Sequence, residues 1–151
     1  ASGKDLRQSP ETVRRTMELI GKAGLPIHLS EITITSPGGD RRGEIIQAGI
    51  SRNLYRLWFS LAPMMGITWW NVVDGCGAPG EPAISGLFTR DMEPKLSYFA
   101  LNDLIHHEWH TSLSCRADRE GKVGFRGFRG RYRLSWTSAE GKAESMECHL
   151  K

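Results

Sequence analysis

Two spacings of apolar residues run along this chain, a helical one and an alternating one. Ser9-Pro10-Glu11 is a helix-start signal: an N-cap, proline at the first helical position, then an acid in the first turn. Val13, Met17 and Ile20 follow at i, i+4 and i+7, which is one helix face, and Gly24 supplies a stop. Ile27–Ile34 then reads as a strand and "TSPGGDRRG" as a turn-rich loop. A longer helix is expected from about Glu44 to Leu61, with Ile46, Ile50, Leu54, Leu57, Trp58 and Leu61 as its apolar positions and Pro63 and Gly66 closing it. "GITWWNVV", residues 66–73, is a β-prone apolar run, and the Gly/Pro loop "DGCGAPGEPAISG" follows. Pro94 opens a third helix with Phe99, Leu101, Leu104 and Ile105 as core candidates.

Helix, strand, helix, strand, helix in this order predicts parallel βα units. The continuous apolar character of 66–73 fits a strand covered on both faces. Near His110 the pattern shortens to the alternating runs 112–117, 122–127, 131–136 and 144–150, separated by turn signals. These predict a small antiparallel β unit. The expected division is therefore an α/β part, residues 1–110, and a β appendage, residues 111–151. Two parallel strands with three helices leave open edges and uncovered helix faces. A second polypeptide segment supplying more strands is the expected partner, or the chain is part of a larger domain.

Composition narrows the class. The 151 residues are 39% hydrophobic and 25% charged, as in a soluble globular domain. A net charge of +3 does not by itself point to nucleic acid. No apolar run approaches a membrane span, and the polar N-terminus "ASGKDLRQSPE" has no signal-peptide pattern. Cys76, Cys115 and Cys148 have no metal-ligand spacing; Cys115 and Cys148 are placed to pair, but the odd count favours free thiols.

Within the first strand, Glu31 sits among Leu29, Ile32 and Ile34. A carboxylate is costly to bury unless paired. Glu31 is either on an edge strand facing water or a carboxylate of the perturbed, catalytic kind. In parallel α/β folds, function collects at the C-terminal strand ends. Glu31 lies near the first such end, and Trp69, Trp70, Asn71 and Asp74 at the second. Indole faces with hydrogen-bonding groups suit sugar rings. Adjacent strand residues point to opposite faces, so at least one of the two tryptophans is expected in the core.

Three blocks in order carry a resemblance: "GLPIHLSEITI", "IIQAGISRNLYRLWFSLAPMMGITWWNVVDG" and "SGLFTRDMEPKLSYFALNDLI". From about Ser9 to Trp109 the chain resembles the last part of the catalytic domain of glycoside hydrolase family 10, the endo-β-1,4-xylanases. The family's Thr-Glu-Leu-Asp block is here Ser30-Glu31-Ile32-Thr33. Its Gly-Ile-Thr-x-Trp-Gly-x-x-Asp block is Gly66 to Asp74, and Leu87, Phe88, Pro94, Lys95 and Tyr98 fit its third block. The resemblance implies the C-terminal portion of a (β/α)₈ TIM barrel, with the two strands here as the seventh and eighth. It implies retaining hydrolysis of xylan or xylo-oligosaccharides, with Glu31 as nucleophile, Trp70, Trp69 and Asn71 binding substrate, and no cofactor or metal. It also implies an extracellular or periplasmic place. Three departures stand out. Thr33 replaces the family's Asp, no second Trp is evident beyond the eighth strand, and the acid/base Glu of the fourth strand has no counterpart. Asp74-Gly75 stands where an Asn-Glu pair would be in "WNVVDG", but it follows the nucleophile segment and is not assigned as the acid. The chain alone is expected to be inactive. The residues 125–133 run resembles part of the β region appended in some members.

Two further stretches carry residues suited to other chemistries. "FRGFRGRYR" interleaves Arg126, Arg129, Arg131 and Arg133 with Phe125, Phe128 and Tyr132, a pattern able to bind single strands. A hairpin with solvent-facing arginines is the favoured reading, so no nucleic acid partner is expected. "HHEWH" places His106 and His110 at i, i+4, but His107-Glu108-Trp109-His110 is one residue short of the zinc-protease motif. A non-catalytic carbohydrate-binding or structural piece is the alternative function; it uses Trp70 without needing Glu31.

Overall fold

The computed structural model describes residues 9–150. The chain divides into two compact units, one up to Leu104 and one from Ile105 onward. The division falls a turn or two before the change of pattern seen in the sequence near His110.

In the first unit, α1 (Pro10–Gly21) starts as its sequence predicts. Ser9 is the N-cap, and its side chain accepts a hydrogen bond from the Thr12 N–H at 3.2 Å. Gly24 takes φ 71°, a left-handed conformation suited to glycine, as the chain leaves the helix. Strand β1 (Ile27–Ile32) follows. Helix α2 (Arg41–Phe59) begins three residues before the expected Glu44, because the Asp40 carboxylate caps it, accepting from the Gly43 N–H at 2.7 Å. Strand β2 (Met64–Trp69) pairs parallel with β1. Gly66, expected to close α2, lies inside β2 instead. A side chain there would meet the His28 ring at 2.9 Å, so glycine permits the close pairing of the two strands. Helix α3 (Leu96–Asp103) runs on into a π turn over Leu104–Glu108.

The buried stripe of α2 is Gly43, Gln47, Ser51, Tyr55 and Trp58, not the Ile46 and Ile50 face that periodicity singles out. Gln47 is fully buried. Its amide donates to the Ile34 carbonyl at 2.8 Å and the Gly86 carbonyl at 3.2 Å, and its oxygen accepts from Ser97 at 3.4 Å. One side chain thus ties α2 to the strand-end loops and to α3. Leu101 and Leu104 are buried, whereas Phe99 and Ile105, also expected in the core, are exposed with Ile46 and Ile50. No described residue of α1 is buried either. These apolar faces lack cover among the described residues.

The second unit contains one antiparallel hairpin, β3 (Gly130–Thr137) with β4 (Ala143–Leu150). Its register puts Tyr132, Leu134, Met146 and Cys148 on one face and Arg131, Arg133, Glu147 and His149 on the other. The expected strands 112–117 and 122–127 are not formed. Leu113 and Val123 are more than half exposed, and Phe125 packs instead on Tyr132 of β3, ring centroids 5.4 Å apart, so neither run buries an alternating face of its own. The turn between them does form: Asp118 accepts from the Glu120 and Lys122 N–H groups at 3.0 and 2.7 Å. The three cysteines are free thiols.

Tyr55 packs edge-on to Trp58, with ring centroids 5.7 Å apart, and burial pushes its phenol up to about 12. The unfolded chain ionises this group near 10. The stability tied to it is therefore complete below about pH 10 and lost as pH rises towards 12. Melting curves taken across that window should show a steeper fall in Tm for the natural sequence than for Tyr55→Phe; parallel curves would contradict this.

Candidate functional site

The C-terminal ends of β1 and β2 build the site, and a bulge sets its orientation. Leu29 pairs with Ile67 and Ile32 with Trp69, so three steps of β1 match two of β2. Ile67 and Trp69 share a face, and cross-strand partners share theirs, so Leu29 and Ile32 both lie on the covered side. Ser30 and Glu31 between them are both exposed. Strict alternation from Leu29 would have turned Glu31 inward. The extra residue turns it to the open face, where His28 Nε2 and Thr68 Oγ1 meet at 2.9 Å. Glu31 is exposed, and no ion pair joins it to another of the described residues. Thr33, which follows, is exposed as well.

The Trp70 N–H donates to the Ile32 carbonyl at 3.0 Å, which holds the two strand ends together one residue past Glu31. The adjacent tryptophans then separate. Trp69 is 9% exposed; its indole N–H is shared between the Asn71 and Ser85 carbonyls at 3.0 and 3.1 Å, and its ring lies 6.4 Å from Tyr55. It packs in the core, which removes it from the expected substrate-binding set. Trp70 is 47% exposed.

Asn71 is buried, and its amide is engaged by the loop that follows β2. It donates to Glu81 Oε2 at 2.7 Å. The Ala78 N–H reaches the same oxygen at 3.2 Å, and the Trp70 indole N–H donates to Glu81 Oε1 at 3.0 Å. Hydrogen bonds from Asn71, then from Trp70 and Ala78, hold the Glu81 carboxyl below the usual carboxylate range. A side chain at position 77 would come within 2.7 Å of the Glu81 carboxylate and 2.9 Å of the Asn71 amide; Gly77 leaves that space open. Glu81 escaped the sequence reading because it lies in a Gly/Pro loop with no periodicity. The one available signal was its being the single acid of "CGAPGEPAISG".

Asp74 has a structural task. Lys95 Nζ reaches its two carboxylate oxygens at 3.0 and 2.9 Å, and the Gly86 N–H donates to it at 2.7 Å. The Lys95 side chain is only 2% exposed. Both oxygens of Asp74 are thus engaged in holding the loop. Elsewhere, His106 and His107 are exposed in the π turn. Among the described residues no group of three His, Cys, Asp or Glu side chains is placed to hold a metal, and no helix is long and apolar enough to cross a membrane.

No protein-family model matches this sequence, and no curated protein matches it. Solved structures do. Xylanase 10B from Thermotoga petrophila, in complex with xylobiose, is 23% identical with a TM-score of 0.58; the match covers 66% of this chain and 32% of that one. A β-glucuronidase from Bifidobacterium dentium, complexed with coumarin-3-O-glucuronide, is 19% identical with a TM-score of 0.58, over 70% and 18% of the two chains. The intracellular xylanase from Thermoanaerobacterium saccharolyticum is 21% identical with a TM-score of 0.53, over 62% and 29%. The chain therefore spans a third or less of each of these structures. The shared fold is the C-terminal portion of a TIM barrel, here followed by a small antiparallel hairpin.

Breaking the buried pair by Lys95→Met should cost about 3 kcal/mol or more, because the Asp74 charge is left without its cation. Denaturant unfolding measures this. The double variant Asp74→Leu with Lys95→Met should lose less than the single one if the unpaired charge is the cause.

Proposed function

We propose that this chain is the C-terminal part of a retaining glycoside hydrolase that cleaves β-1,4-xylan, with Glu31 as its nucleophile. The observation that carries the reading is the bulge that turns Glu31 to the open face beside the exposed Trp70. A nucleophile must be unpaired and able to reach the anomeric carbon; Glu31 is exposed, at a strand end of a barrel fold. The resemblance of the Ser30–Thr33 and Gly66–Asp74 blocks to the xylanase family supports xylan over other glycans.

In this chemistry the Glu31 carboxylate attacks the anomeric carbon while a second carboxyl, standing about 5 Å from Glu31 and hydrogen-bonded to the glycosidic oxygen, protonates that oxygen as it departs. The glycosyl ester on Glu31 is then hydrolysed by a water that the second carboxylate deprotonates. The second carboxyl and the other barrel strands come from a further polypeptide segment, and they cover the exposed faces of α1 and α2. The 151 residues alone do not turn over xylan.

The test uses the protein with its barrel complete. Glu31→Gln should lower kcat by about 10,000-fold while xylo-oligosaccharides still bind. A 2-deoxy-2-fluoro xyloside should leave a covalent sugar on the peptide carrying Glu31, read by mass spectrometry. Full activity in Glu31→Gln, or a label on another carboxylate, would refute the assignment and favour a non-catalytic sugar-binding role.

A further inference from the structure

Xylanases and β-glucuronidases both match this fold, and their sugars differ in charge. A xylose unit carries no group at C5, whereas a glucuronate carries a carboxylate there. The backbone cannot tell the two apart, so the choice falls to side chains at the rim. Trp70 is the exposed indole of that rim, and Glu81 is fixed at its edge by the 3.0 Å bond to the indole N–H. Glu81 cannot swing away easily: Asn71, 7% exposed, grips its other oxygen at 2.7 Å, and the Ala78 amide does so at 3.2 Å. The three donors are neutral, so they orient the negative charge without cancelling it. The lysine of the loop is spent on Asp74, and Arg90 donates to the Gly75 carbonyl at 3.4 Å. Oε1 accepts one bond and retains a lone pair for a hydroxyl donor.

We infer that Glu81 is a specificity-determining residue, whose fixed carboxylate at the edge of Trp70 makes this sugar platform accept a neutral pyranose and reject a uronate. A sugar hydroxyl donates to the carboxylate; a sugar carboxylate is repelled by it. This deepens the xylan reading and rests on Trp70 being a sugar platform.

The test is equilibrium binding to the complete protein in a Glu31→Gln background, which stops turnover and removes the Glu31 charge. The probes are p-nitrophenyl β-xyloside, β-glucoside and β-glucuronide, followed by calorimetry. The glucoside matches the glucuronide in size but is neutral, so their Kd ratio isolates charge from bulk. The glucuronide should bind about tenfold or more weaker than the glucoside, and Glu81→Gln should bring the ratio to about threefold or less. In 1 M salt, where the screening length is about 3 Å, the ratio should narrow even without substitution at Glu81. This second measurement stands if Glu81→Gln does not fold. Equal rejection of glucoside and glucuronide, or a ratio unmoved by Glu81→Gln and by salt, would overturn the proposal. Trp70→Ala separates the two failures. If it leaves the Kd of every glycoside unchanged, the platform reading itself falls; if it weakens them all while the ratio ignores Glu81, only the role of Glu81 falls.

Discussion

The ion pair between Asp74 and Lys95 closes the long loop on which the rim depends. Asp74 leaves the end of β2, and Lys95 stands at the start of α3, so the pair staples the two ends of a twenty-residue excursion. The backbone follows the same line. Asp74 N–H donates to the Phe88 carbonyl at 2.9 Å and Lys95 N–H to the Leu87 carbonyl at 2.9 Å, while Val73 bridges to Phe88 and Phe88 to Pro94. A loop rich in Gly and Pro has no ladder or helix to fix it. Here a buried charge pair and scattered bridges take their place. Only with its base closed can the loop bring Glu81 back over Trp70 and Asn71.

A second constraint is the polar interior. Parallel βα units usually pack an apolar helix face on an apolar sheet. In α2 the buried face is Gly43, Gln47 and Ser51 at one end and Tyr55 and Trp58 at the other. The end near the site is thus polar, and Gln47 supplies amide donors to two carbonyls of the strand-end loops. Irregular backbone cannot satisfy itself there, so a side chain does. Orientation of the rim is in this way set from beneath by Gln47 and from the side by Asp74.

The elements were legible where local chemistry decides them. Ser9-Pro10-Glu11 marks α1, and the β-prone run at 66–73 marks β2 within a few residues. The strand order followed from alternating helices and strands. The buried face of α2 was not legible, because periodicity weighs Ile46 and Ile50 above Gln47 and Ser51, and cover depends on what lies opposite. The missing strands at 112–117 and 122–127 have the same cause: alternation describes a face, not its partner. Within the site, Glu31 and Trp70 were visible by position at strand ends. The separation of Trp69 from Trp70 was visible only as a rule that one must point inward. The bulge at Ser30–Glu31 was invisible, since it is a matter of register between two strands. Glu81 was invisible too, because three hydrogen bonds made across a folded loop leave no spacing in the sequence.

The same distinction explains why the fold by itself does not name a sugar. Barrels that act on xylan and on glucuronides share strands and helices, and a match at about one-fifth identity records that shared frame. What separates such enzymes is carried by the βα loops at the strand ends. In this chain the loop after β2 does two things that the frame does not require. It commits one carboxylate, Asp74, to holding itself in place, and it carries a second, Glu81, to the edge of the exposed indole. The first has a cation within 3 Å and is electrically quiet; the second is met by neutral donors alone and keeps its charge at the rim. Two acids seven residues apart in one loop thus have opposite consequences. Their partners, rather than their type or their place in the sequence, decide which of them presents a charge at the loop surface.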